Sequence, residues 1–195
     1  AVPAEAFLKA RSGTEMIHEI LNAYNPVSGL LYNYTKANAG KTNPNDGGWR
    51  CTPVGHTSYM MGSALHYILK SMMFLRSRGQ NYPSFWMERS RAVLDEIIAL
   101  QREDGAFGYT YSDTEKKVID WDGFAGCWFA PAAAYMWKLS GDQKYAEAAD
   151  RALDYYHRFV VRLNCYGTPL DTRKAVDEEG NLAFIRGSRL MHEYT

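Results

Sequence analysis

Residues 119–145 read IDWDGFAGCWFAPAAAYMWKLSGDQKY, and this stretch decides the fold. Phe124, Trp128, Pro131, Ala132, Tyr135 and Leu139 recur every three or four residues, as one face of a helix requires. The other faces are also apolar: Cys127, Phe129, Ala133, Ala134, Met136 and Trp137. A helix that is apolar all round is enclosed by other helices. The segment is too short and its flanks too polar for a membrane span. Asp122 stands where an N-cap belongs and Gly141 where the left-handed residue after a helix belongs. Pro131, inside the apolar run, predicts a kink.

Composition narrows the function classes. The 195 residues suffice for one core, and 22 basic residues balance 22 acidic ones, so no charge bias points to nucleic acid and no acidic run suggests a tail. Aromatic residues make up 14%, including five Trp and fourteen Tyr, more than a core needs. That excess favours stacking on flat or ring-shaped ligands. Cys51, Cys127 and Cys165 show no CxxC spacing and read as free thiols. No HxH or HExxH spacing suggests a metal, and no apolar run has membrane length.

Outward from the central stretch, one plan recurs. Residues 4–24, 83–102 and 143–162 read as amphipathic helices. Residues 56–78, the central run and residues 181–195 read as more enclosed ones. Long Gly-, Asn- and Thr-rich segments at 25–55, 103–120 and 163–180 precede the enclosed helices, with a short strand pair expected at 30–35. Tight turns follow them, and Gly79-Gln80-Asn81-Tyr82 resembles Gly141-Asp142-Gln143-Lys144-Tyr145. The period is roughly 60 to 65 residues, a helical-hairpin repeat with an inner and an outer helix in each unit. An antiparallel array then gathers every long loop at one end, where the inner helices start. The last helix breaks off at Thr195 where Ser140 stands in the previous unit. The expectation is an all-α domain spanning 1–195, three helical hairpins, about half of a ring. Such a half needs the rest of the ring or a partner chain against its flank.

The segments Asp122-Gly123-Phe124, Ala130-Pro131-Ala132-Ala133-Ala134-Tyr135 and Leu139-Ser140-Gly141-Asp142-Gln143-Lys144-Tyr145 together resemble the six-hairpin glycosidase group, nearest the unsaturated uronyl hydrolases. The resemblance implies an (α/α)6 toroid and removal of unsaturated uronyl residues from oligosaccharides. It implies Asp122 as the acid/base that protonates the ring double bond and helps water add, with no metal and no organic cofactor. Ala125 is smaller than the residue that pattern carries at this point.

Several residues are candidates on their own chemistry. Asp120 and Asp122 flank Trp121 and could divide acid and base roles if their environments separate their pKa values; as plain structure, they would be a cap and a loop charge. Trp49, Trp121, Tyr109 and Tyr111 precede inner helices and could stack on sugar rings, or else plug the top of the core. His56, at the same end, could carry a proton or donate to substrate, though a lone His is commonly structural. Arg50, Arg173 and Lys174 lie in long loops and could clamp a carboxylate, or be solvated charges. The expected partner is an oligosaccharide, not nucleic acid or a membrane. A polysaccharide lyase on the same toroid, with His56 or Tyr109 as base beside a cation, is one alternative. A non-catalytic helical-repeat scaffold, with Asp122 only capping its helix, is the other.

Overall fold

The computed structural model describes residues 13–32, 55–167, 174–176 and 178–195. The protein is mostly helical. Among the described residues six helices occur: α1 (Gly13–Asn22), α2 (Ser58–Ser77), α3 (Ser84–Ala99), α4 (Phe129–Ser140), α5 (Gln143–Val160) and α6 (Glu178–Tyr194). The strands are two or three residues long: β1 (Tyr24–Asn25), β2 (Leu30–Leu31), β3 (His56–Thr57), β4 (Thr110–Tyr111) and β5 (Val118–Asp120). The strand pair expected at 30–35 is instead β1 with β2, closed by a turn in which Asn25 carbonyl accepts from Gly29 N–H at 2.9 Å. The segment 103–120, read as loop, contributes two strands of the three-stranded sheet β3-β4-β5.

The helix stops follow the turn chemistry. Gly141 takes φ 74° after α4, and its N–H reaches the carbonyl of Trp137 at 2.7 Å. Only a residue without a Cβ adopts that conformation freely. Asp142 then caps α5, its carboxylate accepting from Lys144 N–H at 3.2 Å. The start of α4 differs from the expectation. A 3-10 turn, Ala125–Trp128, comes first, so Asp122 is not the N-cap of α4. The same shift moves Pro131 into the first turn of α4, where no N–H needs an intrahelical partner and no kink is required.

Side-chain contacts fix the helix directions. Along α2 and α4, Tyr59 meets Trp128, His66 meets Tyr135, and Arg76 donates to Leu139 carbonyl, so these helices run parallel. Gly187 lies on Ala130 and Pro131, and Tyr194 meets Trp137, so α6 is parallel to α4 on its other side. Tyr145 reaches Asp95, and Gln101 reaches Ala148 carbonyl, so α3 and α5 are also parallel. His157 packs on Phe184 and Leu153 on Gly187, so α5 runs opposite to α6. The alternation predicted from the repeat is present: α2, α4 and α6 point one way and α5 the other.

The core sits around α4. Phe129, Ala130, Ala132, Ala133, Ala134 and Met136 are all fully buried. Full burial of a side chain the size of Phe129 contributes about 2 kcal/mol or more. The alanines matter through closeness: a Cβ on Gly62 of α2 would lie 2.6 Å from Trp128 Cβ. That contact permits no side chain at Gly62, so the two helices approach by backbone.

Candidate functional site

The described parts of the three long connections meet where α2, α4 and α6 begin. Sheet β3-β4-β5 ties the first to the second, with Tyr109 N–H donating to Asp120 carbonyl at 2.7 Å and Ser58 N–H to Tyr109 carbonyl at 3.1 Å. The third is tied in by Phe124 N–H donating to Tyr166 carbonyl at 2.7 Å. Gly123, at φ 142°, passes under the Tyr109 ring, and Gly167 lies against it; a Cβ on Gly123 would come within 2.7 Å of that ring.

This crossing gathers four polar side chains. Lys174 Nζ lies 2.9 Å from Asp120 Oδ2 and 3.0 Å from Asp122 Oδ2. Tyr166 hydroxyl donates to Asp122 Oδ1. Asp120 Oδ1 accepts from Asp122 N–H at 2.8 Å. Lys174 also stands 4.9 Å from the centre of the Tyr109 ring, and its backbone is left-handed at φ 51°, a strained conformation for a residue with a side chain.

The electrostatics follow from these contacts. The Tyr166 hydrogen bond, then the Lys174 hydrogen bond, hold the Asp122 carboxyl below its ordinary value, so it is ionised at neutral pH. The reverse effect pushes Tyr166 up to about 12, chiefly through the bond to Asp122. Burial pulls Lys174 down, but its bonds to Asp120 and then Asp122 outweigh that and raise it. Two carboxylates and one ammonium leave the cluster with a net negative charge. Asp122 is the exposed member, at 62%, whereas Lys174 is 23% exposed.

Trp121, half-buried, lies beside the cluster with the Arg102 guanidinium 5.0 Å from its ring centre. Arg102 is held in turn by Asp104, through bonds of 2.8 and 2.7 Å. The Trp121 indole is thereby partnered by a cation from the loop after α3.

His56 and Tyr111 are enclosed in the core instead. His56 is fully buried. Asn25 Oδ1 accepts from Val27 N–H at 2.9 Å, which orients its amide, and its Nδ2 donates to Asp113 carbonyl at 2.6 Å and toward His56 Nε2 at 3.3 Å. Ser28 Oγ is 2.9 Å from the same nitrogen. Burial lowers His56 to about 4, against a smaller upward pull from Asp113, so it is neutral and enclosed rather than open to a substrate. Tyr111 is fully buried with its hydroxyl accepting from Gly108 N–H at 2.9 Å, and Tyr109 is 4% exposed, its ring covered by Gly123 and Gly167. Trp49, Arg50 and Arg173 lie outside the described residues, as does Cys51. Cys127 and Cys165 are buried free thiols. Of the expected residues, the structure therefore joins Asp120, Asp122 and Lys174, with the Tyr109 ring beside Lys174. Tyr166 was not singled out from sequence; its approach depends on a loop crossing with no periodic signal.

Among the described residues no group of three or more His, Cys, Asp or Glu side chains gathers to hold a metal ion. No helix among them is long and apolar enough to cross a membrane. Comparison of the chain with protein-family models, curated proteins and solved structures finds no match.

Proposed function

We propose that this protein is a carbohydrate-active enzyme, a glycoside hydrolase of uronate-containing oligosaccharides, built on an arc of an (α/α)6 toroid. The observation that carries the reading is Asp122: an exposed, ionised carboxylate at the end where the inner helices begin, with a Trp beside it. In this reading Asp122 is the acid/base residue. Asp120 is a positioning residue, since one oxygen takes the Asp122 N–H and the other takes Lys174. The two carboxylates share one ammonium, so their nearest oxygens are less than about 6 Å apart. That is closer than an inverting pair with water between its members requires.

Lys174 gives the site a means of changing the Asp122 pKa. A uronate carboxylate that draws the ammonium to itself frees Asp122 from a charge-assisted bond, and its pKa rises toward a value at which it can carry a proton. Hydration of an unsaturated uronyl residue then places that proton on one carbon of the double bond and a water oxygen on the other, the water's surplus proton returning to Asp122, and the hemiketal so formed opens with release of the remaining sugar.

The test is incubation with lyase-generated unsaturated uronyl oligosaccharides, following the absorbance of the conjugated double bond, wild type beside Asp122→Asn. Decay in the wild type and at least a hundredfold slower decay in the variant support the reading. An unchanged signal in the wild type removes it. The lyase alternative draws on one observation, the Lys174 ammonium beside Tyr109, and predicts the opposite sign with intact polysaccharide: a growing absorbance.

A further inference from the structure

A second group of chemically competent side chains lies on the inner helices, away from the crossing loops. His66 and Lys70 are one turn apart on α2, Tyr135 is on α4, and Arg186, Arg189 and Leu190 are on α6. Together they line a cavity of about 110 Å³. His66 lies about 12 Å along α2 from its first residue, at the usual rise per residue. The cavity is therefore deeper in the helical array than the Asp122 cluster.

Its charge is one-sided. Arg189 has a carboxylate partner, Glu193, at 2.7 Å. Among the described residues neither Arg186 nor Lys70 forms an ion pair. Arg186 Nη1 donates to Tyr67 hydroxyl at 2.7 Å and points at His66 Nε2 at 3.4 Å. A guanidinium cannot accept, so that contact makes His66 Nε2 an acceptor and leaves the ring proton on Nδ1. His66 is 2% exposed, yet Nδ1 is buried without a hydrogen-bond partner. Trp128, whose ring lies 5.7 Å from the Arg186 guanidinium, also has a buried indole N–H without a partner. Unsatisfied buried donors are uncommon and costly. Here one belongs to the histidine that lines the cavity with Lys70 and Arg186, and the other to an indole beside the Arg186 guanidinium.

We propose that this cleft between α2, α4 and α6 binds a small oxyanion group, a carboxylate or a phosphate, with Arg186 and Lys70 supplying its charge-assisted hydrogen bonds. Nε and Nη2 of Arg186 carry no protein hydrogen bond among the described residues and offer the planar edge that such groups accept in pairs. Lys70 adds a mobile ammonium at the mouth. Burial, then Arg186 and Lys70, lower His66 to about 3, so it stays neutral and adds no further charge to the site. The cavity has room for one oxyanion group and a few waters, so the rest of the ligand extends outward past Lys70. The inference stands on these contacts alone and does not rest on the reading of Asp122.

Calorimetric titration of the protein at constant ionic strength tests it, with sodium glucuronate as the carboxylate probe, inorganic phosphate as the other, and glucose as the uncharged control. Saturable binding of at least one anion, at least tenfold tighter than glucose, is the expected result. Tighter glucuronate identifies an acidic sugar as the source, and tighter phosphate identifies a phosphoryl group. Arg186→Gln is expected to weaken that binding by about tenfold or more, as loss of a bidentate charged partner does. Lys70 is exposed, so Lys70→Gln leaves the thermal unfolding midpoint in place and weakens binding about threefold. Absence of saturable binding by either anion overturns the proposal, as does unchanged anion affinity in a folded Lys70→Gln and Arg186→Gln pair. Turnover of the unsaturated substrate without anion binding would sink this proposal and leave the hydrolase reading standing; anion binding without turnover would do the reverse.

Discussion

The leads into α2 and α4 occupy the same place in the repeat and are built in opposite ways. Into α2 the chain arrives as strand β3 and turns directly into the helix. His56 is sealed by Asn25 and Ser28, and Ser58 hydroxyl donates to Gly108 carbonyl. Into α4 the chain arrives as strand β5, then passes through Asp120-Trp121-Asp122, a glycine at φ 142° and a 3-10 turn. The first lead excludes water from a neutral imidazole. The second holds charge at the surface through Lys174 and Tyr166. The helical plan is shared, while the neighbouring connection differs: His56 meets Asn25 and Ser28, and Asp120 and Asp122 meet Lys174 and Tyr166.

Acid separates the two leads most strongly. A histidine whose folded pKa is lowered gives stability that is complete above its unfolded value, near 6.5, and is lost as pH falls toward the folded value. For His56, lowered to about 4, this loss is on the order of 3 kcal/mol across that window. Asp122 is also lowered, so its share is present above the ordinary carboxyl value and is lost only at pH below it. Hydrogen exchange followed against pH is therefore expected to lose protection in β3 at higher pH than in β5. Simultaneous loss would show that the two leads are not separate units.

Packing gives the next largest effect. A Cβ at Gly126, in the 3-10 turn, would lie 2.1 Å from Tyr156 hydroxyl and 2.8 Å from Phe107 carbonyl. Gly126→Ala is expected to cost about 2 kcal/mol in a urea denaturation series, through displacement of α5 from the lead into α4. Ser58→Ala, which removes the buried hydroxyl bond of the α2 lead, is expected to cost about 1 kcal/mol in the same series. Lys174→Met is the mildest for stability, about 0.5 kcal/mol, because the ion pairs are partly solvated. Its sharper readout is the Asp122 carboxyl titration by NMR, which is expected to move upward, since Lys174 is one of the two groups holding it down.

How much of this the sequence disclosed depends on the kind of contact. The apolar run of α4, its stop at Gly141 and the cap at Asp142 were legible because helix period and turn chemistry are local. Common placement of the long loops was legible from their alternation with short turns. The 3-10 turn was not, since Ala125-Gly126-Cys127-Trp128 carries the same apolar period as the helix after it. That concealment misassigned Asp122 as a cap and Pro131 as a kink. Lys174 could be named as a loop cation, but its attachment to Asp120 and Asp122 spans a loop crossing that no short-range pattern encodes. His56 stood open between a proton carrier and a structural histidine because the residues that enclose it, Asn25 and Ser28, are polar and lie far from it in sequence.

Gly62 and Gly187 carry one further consequence. Gly62 meets Trp128 at the head of α4 too closely to admit a side chain, whereas Gly187 lies on Ala130 and Pro131 at ordinary contact distance and a Cβ there would press on the Leu153 side chain of α5. Mechanically the Gly62 contact acts as a key in a slot. Neighbouring helices keyed in this way resist axial shear, because a slide of even one residue brings a Cβ onto the backbone opposite. At the Gly62 contact, α2 is then freer to tilt against the head of α4 than to slide along it.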